Sequence, residues 1–309
     1  MPKVSVIMSV YNEKKYLLEA INSIMNQTFK DFEFIIIDDG SEEYVHTLIN
    51  SIHDNRIKLI INEKNMGLTA SLNKGLFWAS GEYIARQDSD DVSERTRLQY
   101  QVDYLDRHPE IGVLGTSTTI INEIGDAIDE WEAAPNPMSA LKTGNRLTHG
   151  SVMFRRSIME DLGKYDYHFK YAQDYEYWLR ISKKYQIRNI PNKLYQSRFH
   201  DKMISITKIK EQARFVICAQ RMEGLRGEYP YDLQMTKDEK IRYHNTLVYG
   251  YVQANKMLGI EQEFWEIFKL NPVNIDNLVR IIAYIVSGRD GIIAAQNAYR
   301  KLRKSSILH

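Results

Sequence analysis

Val4-Ser5-Val6-Ile7-Met8-Ser9-Val10-Tyr11-Asn12-Glu13 opens the chain with a short apolar run that breaks abruptly into polar residues. A run this short, rich in Val and Ile and closed by turn formers, predicts a strand buried on both faces. The rhythm then repeats. After Lys3 to Val10 come apolar runs at Glu33 to Ile37, Ile57 to Ile61 and Tyr83 to Ala85. Between them, residues recur at spacings of three and four: Leu17, Ile21, Ile24 and Thr28; Val45, Leu48, Ile49 and Ile52; Leu68, Leu72 and Leu76. That spacing predicts helices, each turning one apolar face to a core. Buried strands alternating with amphipathic helices predict an α/β, Rossmann-like, mostly parallel sheet with helices on both faces.

Ligands bind such sheets beyond the carboxyl ends of the strands. The residues there are Tyr11-Asn12-Glu13, Asp38-Asp39-Gly40-Ser41 and Asp88-Ser89-Asp90-Asp91. Two carboxylates one residue apart, as in Asp88 and Asp90, can offer oxygens to a hard cation such as Mg²⁺ or Mn²⁺, whose shell phosphate and water complete. The same acids also suit a solvated loop. Asp38 or Asp39 can accept hydrogen bonds from a base or ribose, or form the turn while Ser41 caps the next helix. Tyr11 can stack on a base or close the edge of the core.

Beyond about residue 112 the pattern loosens around Gly115, Gly125, Pro135 and Pro137, and helical spacing returns at Asp174 to Lys184. From about Ser205 onward the chain reads as mostly helical, ending in Arg300, Lys301, Arg303 and Lys304 beside Ile307 and Leu308. Lys and Arg total 41 against 40 Asp and Glu, so no polyanionic partner such as nucleic acid is indicated. Cys218, the single cysteine, excludes an internal disulfide and zinc ribbons. No run approaches the roughly 20 apolar residues of a membrane span, and the start lacks a signal-peptide pattern. The expected setting is the cytoplasm, free or on the inner face of a membrane.

The opening run resembles that of the family 2 glycosyltransferases, which share the GT-A fold. Asn26-Gln27-Thr28, Phe34 to Ser41, Asn65-Met66-Gly67, Asn73-Lys74-Gly75, Gly81-Glu82-Tyr83, Asp88 to Asp91 and Arg97-Leu98 resemble the family's successive motifs, in order. The resemblance implies a GT-A domain over residues 1–205, with a nucleotide-sugar half at about 1–110, an acceptor half at 111–205, and a helical extension over 206–309. It implies that Ser9, Tyr11, Asp39, Asn65 and Asp88 bind the nucleotide sugar, with Asp90 the direct metal contact of the D-x-D pair. Ser9 departs from the family, where many members carry proline or threonine.

Thr148-His149-Gly150-Ser151-Val152-Met153-Phe154 resembles the family's acceptor-side strand, and Ala172 to Arg180 the helix that carries its base. The position of Asp174 implies the catalytic base; Glu176 is the alternative base or an acceptor contact, and His149 an acceptor-pocket residue. His200 matches a family histidine that reaches the metal. A sugar hydroxyl is a poor nucleophile, so a carboxylate must take its proton. What the resemblance implies is inverting transfer from a UDP-sugar, with Mn²⁺ or Mg²⁺, onto a glycan or undecaprenyl-diphosphate-linked sugar in O-antigen or capsule assembly. The late helices are expected to meet a membrane, an acceptor or a second copy. The rivals are a sugar nucleotidylyltransferase, whose glycine-rich phosphate loop is missing, and a non-catalytic nucleotide-sugar or glycan-binding module.

Overall fold

The computed structural model describes residues 1–222 and 234–253, with a few further helical residues up to 270. The strands are β1 Val4–Val10, β2 Phe32–Asp38, β3 Ile57–Ile61, β4 Tyr83–Asp88, β5 Val92–Ser93, β6 Ile111–Ile121, β7 Ala127–Trp131, β8 Met153–Arg155 and β9 Gln186–Arg198. The helices are α1 Leu17–Met25, α2 Glu43–Asn50, α3 Leu68–Trp78, α4 Arg97–Arg107, α5 Met138–Leu141, α6 Arg156–Leu162, α7 Gln173–Ile181, α8 Ile204–Thr207, α9 Ile209–Met222 and α10 Lys237–Gln253. The chain divides into two compact units, the first built on Met1–His200 and the second opening with Asp201–Ile217.

In the first unit the strands join in the order β3-β2-β1-β4-β8-β6-β9-β5, with β7 on β6. β1 to β4 are parallel. β8 is antiparallel to both β4 and β6, so β6, and β9 parallel to it, run with the first four strands. One face is sealed by Leu17, Ile21 and Ile24 of α1 and Leu98, Val102 and Leu105 of α4 against Val4, Val6, Met8, Phe34 and Ile36. On the other face Ile7, Ile35 and Ile37 are fully buried, as is Leu72 of α3, with Leu76 nearly so. Each such side chain contributes about 1.5–3 kcal/mol on burial, which is why the alternation of strand and helix dominates the fold.

β4 runs past the predicted Ala85 to Asp88 because Arg86 and Gln87, though polar, are satisfied inside the sheet. Arg86 Nη1 donates to Ile7 O at 2.6 Å, and Gln87 Nε2 to Asp91 O at 2.9 Å. The register then sets the site. Val10 lies opposite Asp38 and Ser9 opposite Asp88. The carboxyl ends of β1, β2 and β4 therefore finish level, and the loops holding Tyr11, Asp38–Ser41 and Asp88–Asp91 emerge side by side.

In the second unit Ile209, Ala213 and Leu247 form a small buried cluster joined by Tyr243. Among the described residues no helix is long and apolar enough to cross a membrane. The basic end from Arg300 to Lys304 lies outside the described residues.

Gly40 fixes how two site loops meet. Its φ is +73°, and a Cβ there would stand 2.5 Å from the Lys64 carbonyl carbon and 2.7 Å from the Asn65 nitrogen. Both the left-handed backbone and the close approach demand glycine. Gly40→Ala is expected to lower stability by about 2 kcal/mol or more, read from the urea unfolding midpoint; an unchanged midpoint contradicts this packing.

Candidate active site

Carboxylates crowd the loop after β4, and buried arginines brace it. Arg86, 1% exposed, donates from Nη2 to Asp88 Oδ1 at 2.5 Å. Arg198, equally buried, donates its backbone N–H to Asp91 Oδ1 at 2.7 Å, its Nε to Asp90 O at 3.0 Å and its Nη2 to Glu19 at 2.6 Å. Arg97 anchors the base of the loop, donating to Ser93 Oγ at 2.7 Å and Arg86 O at 2.6 Å, with its guanidinium 5.1 Å from the Tyr195 ring centre. Burial pulls Arg97 down to about 10.

The compensation is incomplete. Burial and the neighbouring Asp90 raise Asp88 despite Arg86. Burial, then Asp90 and Asp88, lift Asp91 well above the usual carboxylate range. Asp90 Oδ2 lies 2.9 Å from His200 Nε2, with the imidazole almost buried against Tyr16 and the carboxylate about a quarter exposed. Oxygen and imidazole donors this close, beside two further carboxyl groups, fit a divalent cation such as Mn²⁺ or Mg²⁺. No three His, Cys, Asp or Glu side chains form a cage on their own among the described residues, so such an ion would take further ligands from phosphate and water. Gly150 approaches this loop so closely that a Cβ would stand 2.6 Å from Asp88 Oδ2.

Tyr11 is half exposed just beyond β1, and Ser9 is partly exposed one strand from Asp88. The two aspartates after β2 divide their work. Asp38 is fully buried, accepting the Ser41 N–H at 2.9 Å and lying 2.5 Å from His46 Nε2. Asp39 accepts the N–H groups of Met66 and Gly67, and Asn62 Nδ2, each at 2.8 Å. Asp39 thus shapes the loop carrying Asn65, whose own Oδ1 accepts the Gly67 N–H at 3.0 Å. Ser41 does not cap α2. Its hydroxyl is turned back to accept the Asn12 N–H at 2.9 Å, and Glu42 occupies the cap position without a side-chain bond.

Asp174 sits in the first turn of α7, where Asn145 Nδ2 donates to its Oδ2 at 2.6 Å. Burial raises it to about 6, against the N–H bonds of Tyr175, Asn145 and its own backbone, and the charge of Asp88 adds to the rise. The helix dipole favours the anion at this position; desolvation outweighs it. His149 begins a 3-10 turn, with Nε2 2.9 Å from Tyr165 OH and 3.3 Å from Arg86 Nε. Burial and Arg86 push its pKa well down, so the imidazole is neutral. Arg86 therefore contacts both Asp88 and His149.

Glu176, expected as an alternative base or an acceptor contact, is occupied elsewhere. It is 2% exposed and its two oxygens accept Arg180 Nε and Nη2, each at 2.8 Å. One helical turn links the pair, and Arg180 goes on to hold the carbonyls of Leu162 and Lys164. Sequence reasoning missed Arg86, Tyr195, Gly150 and Asn145. Arg86 carried a signal, a cation inside a buried strand two residues before the acids; the other three became visible only through the fold.

A profile of Glycosyl transferase family 2 matches residues 5–163. The chain is a family 2 glycosyltransferase. The O-antigen biosynthesis glycosyltransferase WbnJ of Escherichia coli is 36% identical over 184 residues, covering 58% of this chain and 71% of WbnJ. S. aureus TarS 1-349, solved in complex with UDP-GlcNAc, superposes with a TM-score of 0.59 at 18% identity, covering 97% of this chain and 92% of that one. The mannosyltransferase PcManGT from Pyrobaculum calidifontis, solved with GDP-Man and Mn²⁺, gives a TM-score of 0.59 at 16% identity, covering 96% and 86%. At these identities the two structures share the fold, GT-A, with this glycosyltransferase.

Because Glu176 holds a buried ion pair, Glu176→Ala is expected to cost about 3 kcal/mol of stability by stranding Arg180. Turnover of the glycosyltransferase should survive wherever the variant is folded. Loss of turnover at full stability contradicts the structural assignment of Glu176.

Proposed function

We propose that this glycosyltransferase moves the sugar of a UDP-sugar onto an acceptor hydroxyl by single displacement with inversion. The observation that carries the reading is Asp174, a carboxyl raised to about 6 by burial and by the charge of Asp88, with the Asn145 amide donating to it in the first turn of α7. Asp174 takes the proton of the acceptor hydroxyl. The acceptor oxygen bonds to the anomeric carbon as the bond from that carbon to the diphosphate breaks, and UDP leaves from the opposite face. Asp90 and His200, with Asp88 beside them, would hold a divalent cation, and the chemistry it would supply is neutralisation of charge on the departing diphosphate. Tyr11 stacks on the base, and Ser9, Asp39 and Asn65 line the nucleotide pocket. His149, neutral and fixed between Arg86 and Tyr165, forms part of the acceptor wall.

The sequence relationship to WbnJ supports a role in surface-polysaccharide assembly, and a glycan or undecaprenyl-diphosphate-linked sugar at a membrane face is the acceptor we propose. Purified protein incubated with Mn²⁺, a lipid-linked glycan acceptor and a panel of UDP-sugars should release UDP from one donor. Asp174→Asn should lower turnover about 10²–10⁴-fold and Asp90→Ala about 10²–10³-fold, both with the fold intact. UDP release that persists in Asp174→Asn sinks the base assignment.

The pH dependence follows from the same carboxylate. Asp174 is raised to about 6 and must be ionised to act, so kcat/KM should be level above that pH and fall tenfold per unit below it. A flat acid limb down to pH 4.5 contradicts this.

A further inference from the structure

We propose that Asn145 is a positioning residue for the transfer, aiming the Asp174 carboxylate at the acceptor hydroxyl through its side-chain amide. The inference rests on Asp174 being the base. Asn145 lies in the irregular segment between α5 and the 3-10 turn at His149. Its amide has one orientation: Oδ1 accepts the Leu147 N–H at 3.2 Å, which turns Nδ2 toward Asp174 Oδ2 at 2.6 Å. The segment is itself braced. Tyr175, the residue after the base, donates its hydroxyl to Leu141 O at the end of α5 at 2.5 Å, so two successive residues of α7 are tied to this part of the chain. Asn189 of β9 donates to Arg146 O at 3.1 Å and to Ala134 O at 3.0 Å, fixing the neighbouring backbone.

A carboxylate at a helix start can rotate about its side-chain bonds. The Asn145 amide removes that freedom by occupying one oxygen from the acceptor half, leaving the carboxylate in a single pose. Misplacement of a reacting group by about 1 Å costs on the order of 10²-fold in rate. The amide donates to the ionised form, so its removal also favours protonation of the base. The other titratable groups whose charges couple to Asp174 are Asp88 and Tyr165, and neither donates to it in the structure.

The test compares Asn145→Ala with Asn145→Asp, using UDP release from the donor that the wild type turns over. Asn145→Ala is expected to lose about 10- to 100-fold in kcat at pH 7 with donor KM unchanged, and to move the acid limb of kcat/KM to higher pH. Asn145→Asp keeps the side chain's shape and the acceptor for Leu147 but replaces the donor with a negative charge. It should move the limb further than alanine does. If Asn145 only shapes its loop, aspartate will behave as wild type and alanine as the poorer variant, which overturns the proposal. An unmoved acid limb in Asn145→Ala overturns it as well. Asp174→Asn separates the two claims: full turnover there removes the base itself, whereas its loss beside wild-type profiles in both Asn145 variants removes only the role of Asn145.

Discussion

Three carboxylates in four residues cannot share one sheet edge unless something holds them there. In this enzyme the restraint comes from two arginines that are each 1% exposed: Arg86 donates to the Asp88 carboxylate, and Arg198 donates its backbone N–H to the Asp91 carboxylate and its Nε to Asp90 O. Buried charge is costly when unpaired and tolerable when saturated with hydrogen bonds. Arg86 alone serves Ile7 O, Gln87 O, Asp88 and His149. The loop is thereby preorganised, while burial and the mutual repulsion of the acids raise Asp88 and Asp91.

The second consequence of Arg86 is geometric. One buried side chain contacts both Asp88 and His149, which joins the loop after β4 to the 3-10 turn at His149. Tyr195 adds to this, accepting the Asp88 N–H at 3.2 Å from β9. Gly150 permits the approach, since a larger residue would collide with both Tyr195 and Asp88. Asp174 works within that frame, and its elevated pKa is the trace of a carboxylate kept from water near other acids.

Much of this was legible in the sequence because it depends on local periodicity. The strands at Val4 to Val10 and Ile57 to Ile61 announce themselves through runs of Val and Ile, and the acids follow directly. The adjacency of the loops follows from parallel pairing, which the alternation of strand and helix implies. Contacts between distant segments were not legible. Asn145 reaches Asp174 across 29 positions and Tyr195 reaches Asp88 across 107, with no local pattern to mark either. Glu176 misled because an acid beside Asp174 looks available until its neighbour one turn on, Arg180, is seen to claim both oxygens. Ser41 misled for the opposite reason: a serine before a helix favours capping, but the Asn12 N–H, exposed by the positive φ of 53° at that residue, claims the hydroxyl first.

The central claim is that the loop after β4 receives a metal-bound nucleoside diphosphate. The most direct measurement is an anomalous difference map, at the manganese edge, from crystals grown with UDP and Mn²⁺. The account predicts one strong peak at about 2.0–2.3 Å, bonding distance for such an ion, from both the Asp90 carboxylate and His200 Nε2, with diphosphate oxygens completing the shell. A peak elsewhere, with Asp90 and His200 still hydrogen-bonded to each other and UDP bound away from the loop, would contradict it.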